Sequence, residues 1–246
     1  MHTASYLIAV VLGLALTLGA VPAQAETINC TPITAVPFTI TAPGIYCLTQ
    51  DIATNLAGGT AITIAANNVV VDGNAHRLGN LAAGPGTTAY GIHANARENI
   101  TLKNITVRGF LRGIFIENAL SAIIEGIRAH RNTFAGISVG GRGNLIRDNQ
   151  VVTTGGSTVL SQPYGFEIAG PENQVLNNDV IDTVGTGSAG IIFFSLGPDN
   201  LVVNNRITHA DYGIYFTAAT SGKYRDNLTS GVTTPFSGGT DAGNNN

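Results

Sequence analysis

Tryptophan is absent from this chain of 246 residues, methionine occurs once, cysteine twice, and only 11% of the residues are charged. Each shortage excludes something. Two cysteines with no histidine nearby fall short of a thiolate ligand set, so no metal or other cofactor is expected. Twelve Lys and Arg against fifteen Asp and Glu leave a net charge of −3, which argues against nucleic acid as a partner. The low charge, set beside 31 glycines, argues against long helices and for many turns. The apolar run at residues 7–21 is too short for an easy membrane span. It is followed by Ala23-x-Ala25, a small-residue cleavage signal. Residues 1–25 therefore read as a secretory signal peptide, with Glu26 the first mature residue. The product is expected to be secreted or periplasmic, with no membrane contact after cleavage. In that setting Cys30 and Cys47 are expected to pair, closing a loop worth roughly 3 kcal/mol.

What is present is apolar residues, 44% of the chain, arranged in a repeat. A Gly–apolar step recurs at Gly91-Ile92, Gly113-Ile114, Gly136-Ile137, Gly165-Phe166, Gly190-Ile191 and Gly213-Ile214, at intervals of 22, 23, 29, 25 and 23 residues. A period of this size marks one supersecondary unit that buries its apolar face by stacking on the next. A second series has a five-residue internal spacing: Asn68/Gly73, Asn99/Asn104, Ser121/Gly126, Asn144/Asn149, Asn173/Asn178, Asn200/Asn205 and Gly222/Asn227. Asn and Gly tolerate left-handed turns, and stacked Asn side chains can bond along the stack. Each coil then reads as three short strands and three turns, with successive coils pairing in parallel. The expected fold is a right-handed parallel β-helix of about seven to eight coils over residues 61–236. An N-terminal cap with the disulfide occupies 26–60, and a frayed Gly/Asn-rich tail occupies 237–246.

The Asn/Gly coil pattern, the Pro43-Gly44-x-Tyr46 entry and the Gly-Ile strands resemble the secreted β-helix proteins of the pectin-lyase-like superfamily across residues 39–236. That superfamily includes polysaccharide lyases, glycoside hydrolases, epimerases, copper-enzyme maturation proteins and members of unknown activity. The resemblance implies extracytoplasmic work, often on carbohydrate, and does not imply catalysis. Of the polygalacturonase motifs only Asn177-Asn178-Asp179 occurs, at a turn. The Asp-Pro-His-Asp of alginate epimerases is absent, and no standard catalytic site is present. Counting from the turn anchors stacks Arg77, Arg108, His130, Thr153, Asp182 and His209 in one column, with Asp182/His209 an acid–base pair in principle. The same counting stacks Asp72, Lys103, Glu125 and Asp148.

In the Gly strands, positions one and three after Gly are apolar and face the core. The position between them, His93, Phe115, Ser138, Glu167, Ile192 and Tyr215, then faces outward. Insertions at Gly79–Thr88 and Thr153–Pro163 precede Gly strands and would wall a groove roughly 14 Å across, three inter-coil steps wide. Its floor would be Phe115 and Ser138. Residues 99–143 carry six basic groups against Glu117 and Glu125, a net of +4, which leaves −7 for the rest of the chain. Arg112 and Arg142 are the residues expected to meet an anionic ligand. The expected function is binding of a carbohydrate, most simply a uronate-containing polysaccharide, by a monomer through Arg112, Phe115, Ser138, Arg142, His93, Glu167 and Tyr215. The alternatives are a polysaccharide lyase or glycoside hydrolase, and a structural or adhesive surface solenoid.

Overall fold

Three short strands per turn, each two to eleven residues long, generate the architecture. The computed structural model describes residues 26–194, 197–217 and 222–246; the expected signal peptide, residues 1–25, lies outside them. The chain forms a right-handed parallel β-helix, and every strand pairing in it is parallel. Sheet I holds the Gly strands, from Phe38–Ile40 to the second half of Arg206–Phe216. Sheet II has ten rungs, from Thr31–Ile33 to Thr240–Asp241. Sheet III runs from Ile52–Ala53 to Leu228–Ser237. Sheets I and III are continuous through Arg206–Phe216, which turns the corner between them.

The Gly–Ile repeat has a steric cause. A Cβ on Gly165 would lie 2.5 Å from the Gly190 carbonyl oxygen and 2.7 Å from Val180 Cγ1; one on Gly136 would lie 2.5 Å from Val151 Cγ1. Sheet I passes so close to the inward Val and Ile of sheet III that only glycine fits. The residues after it fill the core: Ile114, Ile137, Phe166, Ile191 and Ile214 are fully buried, facing Ile124, Ile146 and Val175 of sheet II. Toward the C-terminal end the filling becomes aromatic, with Phe193 stacked on Phe216 at 4.6 Å and Tyr224 on Phe236 at 5.1 Å.

In most coils each corner is made by one left-handed residue. In one coil these are Asn99, Asn104 and Gly109, with φ of 52°, 52° and 77°. Where sheets II and III meet, the residue after the left-handed one points inward and is asparagine in the later coils. There Asn149, Asn178, Asn205, Asn227 and Asn245 form a ladder. Each Nδ2 donates to the next Oδ1 at 3.0 Å, and each backbone amide before Asn245 donates to that same oxygen at 2.9–3.0 Å. A shorter ladder, Asn144–Asn173–Asn200, lines the corner between sheets I and II. The equivalence of Ser121/Gly126 with Asn144/Asn149 is therefore off by one. Ser121 and Gly126 are the left-handed residues, and Ala122 and Ile127 donate their amides to Asn144 and Asn149. The same slip replaces Asp148 by Arg147 in the charged stack, which alternates in sign as Asp72, Lys103, Glu125, Arg147. It also splits the other column: Arg108 pairs His130, but His130 pairs Val152, while Thr153, Asp182 and His209 are left-handed corner residues.

The first turn is tied down by Asp72. Its buried carboxylate accepts from the Thr27 hydroxyl at 2.6 Å and the Asn74 amide at 2.9 Å, and Lys103 Nζ lies 3.2 Å away. The Cys30–Cys47 disulfide links Thr31–Ile33 to its partner strand Gly44–Leu48. At the other end, Thr240–Asp241 adds a rung to sheet II and Asn245 ends the ladder.

Replacing Asn178 by Ala should strand the Asn149 amide and the Ile146 carbonyl and cost about 3 kcal/mol. Asn177→Gly, which keeps the left-handed backbone on the exposed side of the same corner, should cost less than about 0.5 kcal/mol; urea titration of both variants checks the contrast. Burial raises the Asp72 pKa, but the bonds from Thr27 and Asn74 and the ammonium of Lys103 outweigh it, so its net shift is downward. Its contribution is then complete above the unfolded carboxylate pKa of about 3.9 and is lost as pH falls through the lower folded value. Asp72→Asn should therefore lower thermal stability at pH 7 and narrow the loss seen on acidification, both read from melting temperature against pH.

Candidate binding groove

Sheet I carries two outward rows, three residues apart along each strand. One row is His93, Phe115, Ser138, Glu167, Ile192 and Tyr215, in continuous register across six rungs. The other is Tyr90, Arg112, Ala135, Tyr164, Ala189 and Tyr212. Alternation identifies the first row from the residues after glycine; the second stands immediately before the glycine, where alternation breaks because the glycine and the residue after it both face inward. With Leu111, Phe134 and Phe194 the rows build an apolar cluster on the outside of the barrel, separate from the core.

Its rings pack on one another. His93 stacks on Phe115 at 5.2 Å and Tyr90 meets Phe115 at 4.8 Å. Phe134, Tyr164 and Phe194 follow edge-to-face at 5.4 and 5.6 Å. Tyr212 stacks on Tyr215 at 4.7 Å. The Arg112 guanidinium closes the gap between the rings, 4.6 Å from the Phe115 centroid and 4.7 Å from Phe134. Two contacts hold it there: Nε and Nη2 donate to the two oxygens of Glu167 at 3.0 and 3.3 Å. The Arg112 and Glu167 side chains are only 14% and 16% exposed. Phe115, expected on the floor of a groove, is thus part of a self-packed ribbon of rings.

A groove of about 600 Å³ opens beside this ribbon, where sheet I turns into sheet II. A bulge in Arg112–Leu120, where the register passes from Ile116/Val139 to Ala119/Gly141, pushes one strand outward. Gly140, Gly141 and Gly170 leave the adjoining rungs bare. Arg112, Phe115, Ser138, Arg142 and Glu167 all line it, so the structure brings five of the expected residues together. His93 flanks it through a 3.1 Å contact with Glu117, a lining residue that the sequence reading did not select. Tyr215 lies two rungs beyond Glu167 and does not line it. Arg142 is held in a bidentate pair by Glu172, at 2.9 and 2.5 Å. The groove thus presents guanidinium donors and carboxylate acceptors in matched pairs.

The two insertions do not wall this groove. They meet each other at the corner between sheets III and I, where the Thr158 amide donates to Pro85 at 3.2 Å and the Ser157 amide to Thr133 at 3.0 Å. Asp182 and His209 are 2.9 Å apart at that corner and exposed, a surface pair away from the groove. Among the described residues, no three His, Cys, Asp or Glu side chains are grouped as a metal site, and both thiols are consumed in the disulfide.

A family model described as "Periplasmic copper-binding protein (NosD)" matches residues 84–228. Among solved structures, the chain is similar to the crystal structure of the Dettilon tailspike protein, with 18% identity, a TM-score of 0.51, and coverage of 79% of this chain and 41% of that one. A GH87 α-1,3-glucanase catalytic domain in complex with tetrasaccharides aligns at 12% identity and a TM-score of 0.45, covering 88% of this chain and 64% of that one. An alginate lyase from Paenibacillus sp. str. FPU-7 aligns at 13% identity and a TM-score of 0.33, covering 80% and 99%. The chain spans about two fifths of the tailspike and just under two thirds of the glucanase domain. At these identities the likeness is one of fold. No curated protein sequence matches the chain.

The two ion pairs should differ sharply in weight. Glu167→Gln removes the carboxylate from a guanidinium enclosed by two rings and should cost about 3 kcal/mol. Glu172→Gln, beside the exposed Arg142, should leave the melting temperature nearly unchanged; differential scanning calorimetry of the two variants tests this.

Proposed function

The chain belongs to the NosD family of the pectin-lyase-like β-helix superfamily, and from that premise we propose that it is an extracytoplasmic protein whose sheet I groove binds a carbohydrate chain without turning it over. The observation that carries this reading is the Arg112–Glu167 pair, fixed between Phe115 and Phe134 on the groove wall. A guanidinium and a carboxylate locked side by side offer a donor and an acceptor at fixed spacing. Vicinal hydroxyls of a sugar demand that combination, and neither group loses further side-chain entropy on binding. Ser138, Glu117 and Arg142 add polar groups around it, and Phe115 with Ile116, Leu120 and Val139 supplies the apolar part of the lining.

The expectation of a uronate ligand rested on the +4 charge of residues 99–143. Lys103, Arg112 and Arg142 from that segment are each paired with a carboxylate from another coil, Asp72, Glu167 and Glu172. The groove is charge-balanced, which favours a neutral saccharide. Glu117 and Glu167 are both engaged with a basic group, so neither stands free as the acid or base that glycoside hydrolysis or elimination needs. The family description also names copper. The donor chemistry of the described residues does not fit it: His76, His93 and His209 each sit beside a single carboxylate, and His130 sits among arginines. No step is assigned to a metal.

A glycan array probed with residues 26–246 at low and moderate salt tests the proposal. Binding to neutral oligosaccharides with little salt dependence is expected, and Glu117→Ala should weaken it by about tenfold without loss of fold. A blank array with folded protein would sink the reading.

A further inference from the structure

Of the twelve Lys and Arg residues, seven pair with a carboxylate among the described residues: Arg77, Lys103, Arg112, Arg142, Arg147, Arg206 and Arg225. Three of the remaining five lie together: Arg108 and Arg128 on neighbouring rungs of sheet III, and Arg131 at the left-handed corner that follows. There the in-register pairs are Arg77 with Thr106 and Arg128, and Gly79 with Arg108 and His130. These residues surround a depression of about 370 Å³ whose lining includes Asp51, Ala75, Arg77, Thr106, Arg108 and Arg128. The only carboxylate in it, Asp51, is taken by Arg77 at 2.8 Å, so the local balance is strongly positive.

Two features distinguish this depression from a solvated basic face. Arg108 lies across Gly79 on the neighbouring rung, its Nε 3.4 Å from where a Gly79 Cβ would stand. That Nε is buried and has no hydrogen-bond partner, an uncommon state for a cationic N–H. The neighbouring His130 records the same surplus. Burial first, then Arg128, Arg131 and Arg108, hold its pKa below the ordinary imidazole value.

We propose that this depression is an oxyanion-binding site, taking a carboxylate, sulfate or phosphate group between the guanidinium groups of Arg108 and Arg128, with the Thr106 hydroxyl as an additional donor. Planar guanidinium forks match the paired oxygens of such groups, and a bound oxyanion would neutralise the charge that sheet III leaves unmatched. The site lies on a different sheet from the groove and does not depend on the carbohydrate reading. It accounts for the basic excess that the sequence assigns to residues 99–143 and the groove does not use.

Nuclear magnetic resonance titration of residues 26–246 at constant ionic strength, with sodium sulfate in one arm and trigalacturonate in the other, tests it. Saturable shifts centred on Arg108, Arg128 and His130 are expected, with an upward move of the His130 pKa as an anion joins the Arg108, Arg128, Arg131, Arg77 and Asp51 charges around it. Tighter binding of trigalacturonate would identify a sugar-borne carboxylate as the ligand; tighter binding of sulfate would identify a free oxyanion. Arg108→Gln and the exposed Arg128→Gln should each weaken binding by at least about tenfold, while Glu117→Ala in the groove should leave it unchanged. Absence of saturable shifts with both probes up to about 20 mM, or undiminished binding by a folded Arg128→Gln variant, would overturn the proposal.

Discussion

A solenoid that turns three times per coil buries backbone amides at its corners, and the structure depends on how those amides are satisfied. Between sheets II and III the answer is one side chain used twice. Each Asn Oδ1 accepts both the backbone N–H and the Nδ2–H of the coil before it, and each Nδ2 passes a bond to the coil after. Such a ladder holds only if successive coils superimpose residue on residue at this corner. It therefore holds the register that brings Ser138, Glu167, Ile192 and Tyr215 into one row on the opposite sheet.

The outer surface follows from that register. Because rungs repeat at about 4.8 Å, side chains in one row meet as close neighbours, and rows become functional units. On sheet I this yields the ring ribbon with Arg112 enclosed in it; on sheet II it yields the alternating ladder Asp72, Lys103, Glu125, Arg147. On sheet III the same geometry places Arg108 and His130 side by side with no carboxylate row beside them. One stacking rule thus produces a balanced groove, a compensated ladder and an unmatched basic patch on three faces of one barrel.

Much of this was legible before any coordinates. The Gly–Ile step located sheet I and its inward positions, and alternation then identified the outward row from His93 to Tyr215. The slip at Ser121/Gly126 shows where reading stops. A left-handed corner residue and the inward ladder asparagine after it are adjacent and drawn from the same small set of residue types, as in Asp148-Asn149 and Asn204-Asn205. Spacing by itself does not tell them apart. That ambiguity put Asp148 in place of Arg147 and merged Asp182 and His209 with the column of Arg108. The insertions were read at the correct corner, but their contact through Thr158 and Pro85 involves two loops more than 70 residues apart, which no local pattern encodes.

The sequence by itself determined the solenoid, its parallel strands and which side of each Gly strand faces the core, because these follow from period and alternation, which are local. Tertiary structure alone decided which charges neutralise one another. Arg112 and Glu167 are 55 residues apart and Arg142 and Glu172 are 30 apart, and each pair meets only because the coils stack in one particular register. Whether a basic residue is spent in an ion pair or left open to a ligand depends on its neighbours one and two rungs away. That is a property of the stack, and no window along the chain contains it.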